Sequence, residues 1–171
     1  MVSNLWHEKD GVVYLSVVSD GCTGSQWVRR LGKKKLQSDR ARSILCSPDF
    51  KSTSGVKYEI AVLKGMLFEN RNRITSNIRN LAMQRKLTTP NTEVACLILE
   101  NFSNVDFGKM GLLRIVVMHE PIKDFLRNQS LLRVSRAGNA CRLYAYYDTG
   151  HKWCGENGFA FVVSQTPVSG S

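Results

Sequence analysis

Two adjacent ionisable residues, His119 and Glu120, close an apolar run and are the first candidates for catalysis. The run, residues 112–118, is rich in β-branched side chains and predicts an inner strand. A histidine where a buried strand meets a loop can serve as a general base near neutral pH, with the glutamate orienting it or acting as an acid. Adjacent strand residues point to opposite faces, so the alternative is structural: His119 is hydrogen-bonded beneath the following loop.

A second pattern, Cys141, His151 and Cys154, contains residue types that ligate zinc. The short spacing from 151 to 154 lets two ligands converge in a turn, but a closed structural site needs four ligands. The others would have to come from Cys22, Cys46 or His7. Because the spacing matches no common zinc-finger pattern, we predict no bound metal and no cofactor. The odd number of cysteines, 5, indicates reduced thiols.

The sequence contains no motif for phosphate-loop, dinucleotide or serine-hydrolase chemistry. The glycine-rich loops that cradle phosphates, the strained turn that exposes a nucleophilic serine and the paired cysteines of redox sites are all missing. This favours a binding protein over an enzyme.

The formal net charge of +10 is unevenly distributed along the chain, and it predicts a polyanionic partner. The first basic segment consists of Arg29, Arg30, Lys33, Lys34, Lys35, Arg40 and Arg42. Only Asp39 opposes it there. A second run, residues 127–142, contains arginines and no acid. The alternative is that the charge serves solubility alone.

Alternation in residues 142–147 would place Arg142, Tyr144 and Tyr146 on one face of a strand. Cations contact phosphates and aromatic faces stack unpaired bases, so this face suits a single nucleic-acid strand. Arg79 and Lys86, on a helix further upstream, are additional candidate phosphate contacts. The alternative for the tyrosines is an outer strand face that another loop covers.

The elements that must position these residues predict an α+β fold with an N-terminal β-hairpin, a mostly helical middle and a β-rich C-terminal part. The Asp10-Gly11 pair predicts a hairpin over residues 5–19. The spacing of Thr23 and Gln26 is that of a capping box and predicts a helix start.

Two segments are less distinct. Residues 58–68 fit a strand or a helix, and length favours a helix because a strand of that size is unusual. Residues 131–134 predict an edge strand. The length of 171 residues suits one domain over residues 1–165, with 121–130 as the place where a subdivision would fall. Residues 166–171 predict a flexible tail.

The first functional hypothesis is a basic, cytoplasmic, non-enzymatic protein that binds nucleic acid mainly through phosphates, with little sequence preference. The second is a small hydrolase-like or transferase-like enzyme that uses His119 and Glu120. The third is an interaction module that docks on an acidic protein. No apolar run reaches the roughly 20 residues of a membrane helix, so no membrane partner is expected. DNA or RNA as the ligand, and the oligomeric state, stay open.

Overall fold

The computed structural model describes residues 5–147, 150 and 152–169, in which a mixed eight-stranded sheet is packed against helices. The strands are β1 (Trp6–Lys9), β2 (Val12–Asp20), β3 (Ser54–Lys64), β4 (Arg114–Val117), β5 (Ile122–Lys123), β6 (Gln129–Ala137), β7 (Ala140–Tyr147) and β8 (Asn157–Pro167). The helices are α1 (Gly24–Lys35), α2 (Asp39–Leu45), α3 (Thr75–Gln84), α4 (Val94–Asn101) and α5 (Asn104–Met110). Strands at both ends around a helix-rich middle confirm the α+β class.

The strands follow the order β1-β2-β3-β8-β4-β6. β4 and the short β5 pair with different parts of β6 on one side, and β7 pairs with β6 on the other side. β8 is antiparallel to β3 and parallel to β4. The last strand along the chain therefore joins the N-terminal strands to the C-terminal ones. Residues 121–130 contain β5 and the turn into β6, and the sheet continues across them.

The predicted hairpin is confirmed. Asp10 and Gly11 both have positive φ, 52° and 77°, as a two-residue turn between twisted antiparallel strands requires. The turn sets the pairing of Lys9 with Val12 and of Trp6 with Leu15.

The predicted helix start at Thr23 is confirmed as well. The Thr23 hydroxyl accepts a hydrogen bond from the Gln26 backbone N–H at 3.3 Å, and the Gln26 side chain accepts one from the Thr23 N–H at 2.8 Å. Ser103 and Asp106 form the same reciprocal cap at α5. Within α1, Gly32 adopts φ 64° and breaks the helical path before its last turn.

The helix predicted over residues 58–68 is wrong, because β3 covers this segment up to Lys64. Tyr58, Ile60 and Val62 pack into one core and Ala61 and Leu63 into another, so both faces of the strand are apolar. A strand buried on both faces loses the polar alternation that identifies strands in a sequence. Pairing with β2 on one side and β8 on the other supports its unusual length.

The two faces of the sheet are covered differently. Helices α1, α2, α4 and α5 pack on one face, which we call the helical face. On the opposite face α3 packs through Ile78 and Ala82, together with Trp153 from the loop before β8. Strands β6 and β7 extend beyond the part of this face that α3 and Trp153 cover.

Two further expectations changed. Residues 131–134 belong to β6, which lies between β4 and β7 and is not an edge strand. The predicted tail begins inside β8, where Thr166 pairs with Lys57 and Pro167 with Val56. No helix in the described residues is long and apolar enough to span a bilayer.

Candidate nucleic-acid interface

Three neighbouring strands bring arginine and tyrosine side chains to one face of the sheet, opposite the helical face. Arg133 of β6 pairs with Tyr144 of β7, and Ser135 of β6 lies between Arg114 of β4 and Arg142 of β7. Cross-strand partners point to the same side of a sheet, and residues two apart on a strand share that side. We call this surface the arginine–tyrosine face; its members are Arg114, Arg133, Arg142, Tyr144 and Tyr146.

Arg133 is the centre of the arginine–tyrosine face. Its guanidinium carbon lies 5.8 Å from the ring centre of Tyr144 and 5.4 Å from that of Tyr146. Its side chain is half-buried, and burial, with the nearby Arg114 charge, lowers the pKa of Arg133 below its ordinary value. The cation therefore stands in an environment that opposes its charge.

No carboxylate compensates this charge in the described residues. The ion pairs found there involve other cations, and none includes Arg114, Arg133 or Arg142. Three guanidinium groups on adjacent strands repel one another unless an anion lies between them. Within the described residues, the positive charge of this surface is therefore not balanced by an ion pair.

Polar atoms on the same side of the sheet also lack partners in the described part of the structure. Arg133 Nε, Ser135 Oγ and Asn157 Oδ1 are buried without a hydrogen bond. Asn157 pairs with Arg114, which places it in the same cross-strand row as Ser135. Each buried polar group without a hydrogen bond lowers the stability of the fold by about 1–3 kcal/mol. This row of residues therefore destabilises the protein when no partner is bound.

One border of the arginine–tyrosine face is formed by Trp153. Its ring centre lies 5.1 Å from that of Tyr146 and 5.9 Å from that of Phe159. The indole N–H donates to the Thr75 hydroxyl at the start of α3 at 3.0 Å. Tyr146 therefore marks the boundary between the covered and the open parts of the sheet.

The other border, along the edge strand β7, is basic. Arg142 Nε donates a hydrogen bond to the Lys34 carbonyl oxygen at 3.1 Å. Gly32 interrupts the helical path of α1, and the exposed residues Lys33, Lys34 and Lys35 follow it. The contact with Arg142 is made by the Lys34 backbone. The structure thus brings together the lysine run and the β7 residues, which the sequence separates by more than a hundred positions.

Arg29 and Arg30, earlier on α1, differ from each other. Arg29 is exposed. Arg30 binds Asp20 at 2.6 Å and Glu100 at 2.6 Å, and it lies 4.7 Å from the Trp27 ring centre. Arg30 is already neutralised by two carboxylates.

The cations of α2 also have internal partners. Arg40 binds the buried carboxylate of Asp124 at 2.8 Å and lies over the Tyr147 ring. Arg42 binds Asp39 at 3.3 Å. The Arg40 contacts attach α2 to the sheet, whereas the Arg42 pair lies within the helix. The basic segment of the sequence therefore divides into a surface part and a part with internal partners.

Arg79 and Lys86 lie away from the arginine–tyrosine face. Arg79, on α3, donates to the carbonyl oxygens of Met118 and His119 at 2.9 and 3.0 Å. Lys86 is exposed after α3 with φ 60°, where the helix has ended.

His119 has both ring nitrogens engaged. Nδ1 donates to the Glu120 carbonyl oxygen at 2.6 Å, and Nε2 accepts from the Leu132 N–H at 2.9 Å. The residue is 1% exposed, and burial lowers the pKa of its imidazole to about 4. This is the geometry of the structural alternative. Glu120 is exposed. Among the described residues, its carboxylate makes no hydrogen bond to the His119 ring.

The zinc candidates do not converge in the described residues. Cys141 is buried on β7, Cys154 is exposed, and His151 lies outside the described residues. No group of three or more His, Cys, Asp or Glu residues suited to hold a metal is found in the part of the chain that the structure describes.

Sequence reasoning missed Arg114 and Arg133 as members of the site. Arg133 alternates with the core residues Leu132 and Val134 of β6, so a strand pattern extended over residues 129–137 would have exposed it. Arg114 opens an apolar strand and carries no such signal. No protein-family model matches the chain, and neither the comparison with curated proteins nor that with solved structures gave a match.

Proposed function

We propose that this protein binds single-stranded nucleic acid through the arginine–tyrosine face, mainly by phosphate contacts and with little sequence preference. The observation that carries the proposal is a set of three guanidinium groups, none with an ion pair among the described residues, beside two tyrosine rings on one face of the sheet. Arginine supplies phosphate contacts and the rings supply stacking surfaces.

The combination of charge and rings favours nucleic acid over an acidic protein. An acidic peptide would bind the arginines, but its carboxylates would gain nothing from the adjacent, partly exposed rings of Tyr144 and Tyr146. A nucleotide carries both a phosphate and a flat base at a fixed separation, which matches arginines interleaved with tyrosines. The lysine run at residues 33–35 extends the positive surface along the β7 edge.

The spacing of the rings favours a single strand. Residues two apart on a strand lie about 6.7 Å apart, since each residue advances roughly 3.3 Å. Stacked bases in a duplex follow one another at about 3.4 Å per strand. Bases placed on Tyr144 and Tyr146 therefore cannot remain stacked on each other, which an unpaired strand tolerates and a duplex does not.

Binding and its salt dependence test the proposal. Fluorescence anisotropy would measure the affinity of labelled single-stranded DNA and RNA oligonucleotides at several salt concentrations, with duplex DNA as a comparison. The informative variant is Arg114→Gln/Arg142→Gln. The matched control is Lys51→Gln/Arg85→Gln, which removes the same charge from exposed positions outside β4, β6 and β7.

We expect the first variant to weaken binding strongly and to lower the slope of log K against log salt by about 1.4, or roughly 0.7 per lost phosphate contact. The control should change both quantities little. Equal effects of the two variants would leave only a general charge effect and refute the assigned surface. Absence of binding to any oligonucleotide, together with a stoichiometric complex with an acidic protein, would refute the function itself.

A further inference from the structure

Ser135 is surrounded by arginines on the arginine–tyrosine face. It pairs with Arg114 of β4 on one side of β6 and with Arg142 of β7 on the other. Arg133 precedes it by two positions on β6 and therefore lies on the same face. Because cross-strand partners have Cβ atoms about 5 Å apart, all three guanidinium groups can reach a ligand above Ser135. We call these four residues the Ser135 site.

The Ser135 site contains hydrogen-bond donors that the described residues leave without acceptors. Ser135 is 5% exposed, and neither its Oγ nor Arg133 Nε has a hydrogen-bond partner there. Arg142 donates through Nε to the Lys34 carbonyl oxygen, so its two terminal nitrogens still carry N–H groups for a ligand. Buried polar groups in proteins normally have partners, so a cluster of unpartnered donors indicates a place where a ligand supplies the acceptors.

An anion can approach the Ser135 site from the end of the sheet that lies away from Trp153. Trp153 covers the other end of the arginine–tyrosine face, at Tyr146. In the opposite direction along β6, the next residue on this face is Ala137, which is partly exposed, has only a methyl group and pairs with Ala140. The three arginines are themselves partly exposed. When these long side chains turn towards an anion, they uncover the hydroxyl that lies between them.

The charge of the Ser135 site matches a terminal phosphate better than a phosphate within a strand. Each phosphate that links two nucleotides carries one negative charge. A phosphomonoester carries about 1.5 to 2 negative charges at pH 7 and offers three acceptor oxygens. Three guanidinium groups and one hydroxyl supply enough donors for all of these oxygens, and arginine binds phosphate oxygens in pairs.

Tyr144 lies where the base of a terminal nucleotide would be placed. It follows Arg142 by two positions on β7, an advance of about 6.7 Å along the strand, and its ring lies beside Arg133. A phosphate held at the Ser135 site therefore brings the attached base to this ring, on which it can stack. Because Trp153 borders the next ring, that of Tyr146, the face accommodates few bases, which suits the end of a strand.

We propose that the Ser135 site binds the phosphomonoester at one end of a single strand, so that the protein prefers phosphate-ended strands to hydroxyl-ended ones. The Ser135 hydroxyl and Arg133 Nε donate to the phosphate oxygens, and Arg114 and Arg142 balance the additional negative charge. The inference rests on the proposed function and names the class of strand that its surface selects.

The test compares oligothymidylates of about 8 nucleotides, within the range of site sizes for single-strand binders, that differ only at their ends. One carries a 5′-phosphate, one a 3′-phosphate and one neither, and the fluorophore for anisotropy is attached at the end that is not under test. A hydroxyl-ended strand that is one nucleotide longer adds a comparable charge and controls for general attraction to the basic protein.

The informative variant is Ser135→Ala. It deletes a hydroxyl that has no hydrogen-bond partner among the described residues, so it leaves no polar group unsatisfied and the fold should survive. The matched control is Ser52→Ala, which removes a hydroxyl at an exposed position in the loop before β3.

We expect one of the two phosphate-ended strands to bind the unmodified protein about ten- to a hundredfold more tightly than the hydroxyl-ended strands, the factor expected for charge-assisted hydrogen bonds. Which end is preferred gives the direction of the bound strand. Ser135→Ala should reduce this preference about tenfold and leave the affinity for hydroxyl-ended strands unchanged. Ser52→Ala should change neither quantity.

The outcomes separate the two proposals. If all strand ends bind equally while Arg114→Gln/Arg142→Gln weakens every strand, the surface holds internal phosphates, so this inference is overturned and the proposed function stands. A phosphate preference that persists undiminished in Ser135→Ala would likewise overturn the Ser135 site. If no oligonucleotide binds, both proposals fall.

Discussion

Arg133 and Tyr144 face each other across β6 and β7, with the guanidinium carbon 5.8 Å from the ring centre. The ring attracts the cation, but burial and Arg114 lower the pKa of Arg133, so the net environment disfavours the charge. A chain that carries such a residue is less stable than it would be with an apolar side chain there.

Replacing Arg133 by methionine should therefore separate stability from binding. We expect Arg133→Met to raise the free energy of unfolding by roughly 1 kcal/mol, because it removes a partly desolvated cation that has no carboxylate partner among the described residues. Urea denaturation measures this change, and anisotropy should show weaker oligonucleotide binding in the same protein. A less stable variant with intact binding would contradict both expectations.

Substitutions of Tyr144 distinguish stacking from hydrogen bonding. Tyr144→Phe keeps the aromatic face and should bind single strands as the unmodified protein does. Tyr144→Ala should lose about five- to a hundredfold in affinity, the usual value of one stacked base. If phenylalanine is as damaging as alanine, the hydroxyl and not the ring makes the contact.

Burial of His119 predicts a stability that depends on pH. The pKa of its imidazole falls from 6.5 to about 4 on folding, so the unfolded chain binds more protons between these values. Stability is complete above pH 6.5 and is lost as the pH falls towards 4. The contribution is roughly 3 kcal/mol, at about 1.4 kcal/mol per pKa unit.

Denaturation of the unmodified protein and of His119→Gln from pH 7 to pH 4 measures this term. The unmodified protein should lose roughly 3 kcal/mol more than the variant over that interval. An NMR titration of the imidazole gives an independent check that needs no variant, and a pKa near 6.5 in the folded protein would disprove the burial effect.

Gly24 tests the packing of α1 on α2, which sets where the lysine run lies. A Cβ atom at residue 24 would stand 1.7 Å from the Leu45 carbonyl oxygen, a backbone atom that cannot turn aside. We expect Gly24→Ala to lower the free energy of unfolding by at least about 3 kcal/mol. Gly138→Ala is the matched control: φ is 67° but no atom lies within 4 Å, so only about 1–2 kcal/mol of backbone strain is expected. Equal costs would refute the contact.

Much of the fold could be read from local signals. The turn at Asp10-Gly11 and the caps at Thr23 and Ser103 depend on a few neighbouring residues, and the sequence shows them directly. Strand β3 could not be identified in this way, because its two apolar faces depend on layers contributed by distant segments. Tertiary burial removed the alternation on which strand recognition relies.

The candidate site was predictable to a similar extent. Alternation correctly placed Arg142, Tyr144 and Tyr146 on one face of a strand. It could not show that Arg133 and Arg114 complete that face, because strand neighbours in a sheet are not neighbours in the sequence. Nor could it show that Arg30 and Arg40 are neutralised by carboxylates from elsewhere in the fold.

The position of β8 between β3 and β4 has a consequence for the protein during its synthesis. Both of those strands stay unpaired on one side until residues 157–167 have been made, since β8 supplies their common neighbour. A growing chain can form the early hairpin, but it carries open strand edges that invite pairing with other chains. We therefore expect the sheet to assemble late, after translation of its central strand, and chains interrupted before residue 157 to aggregate.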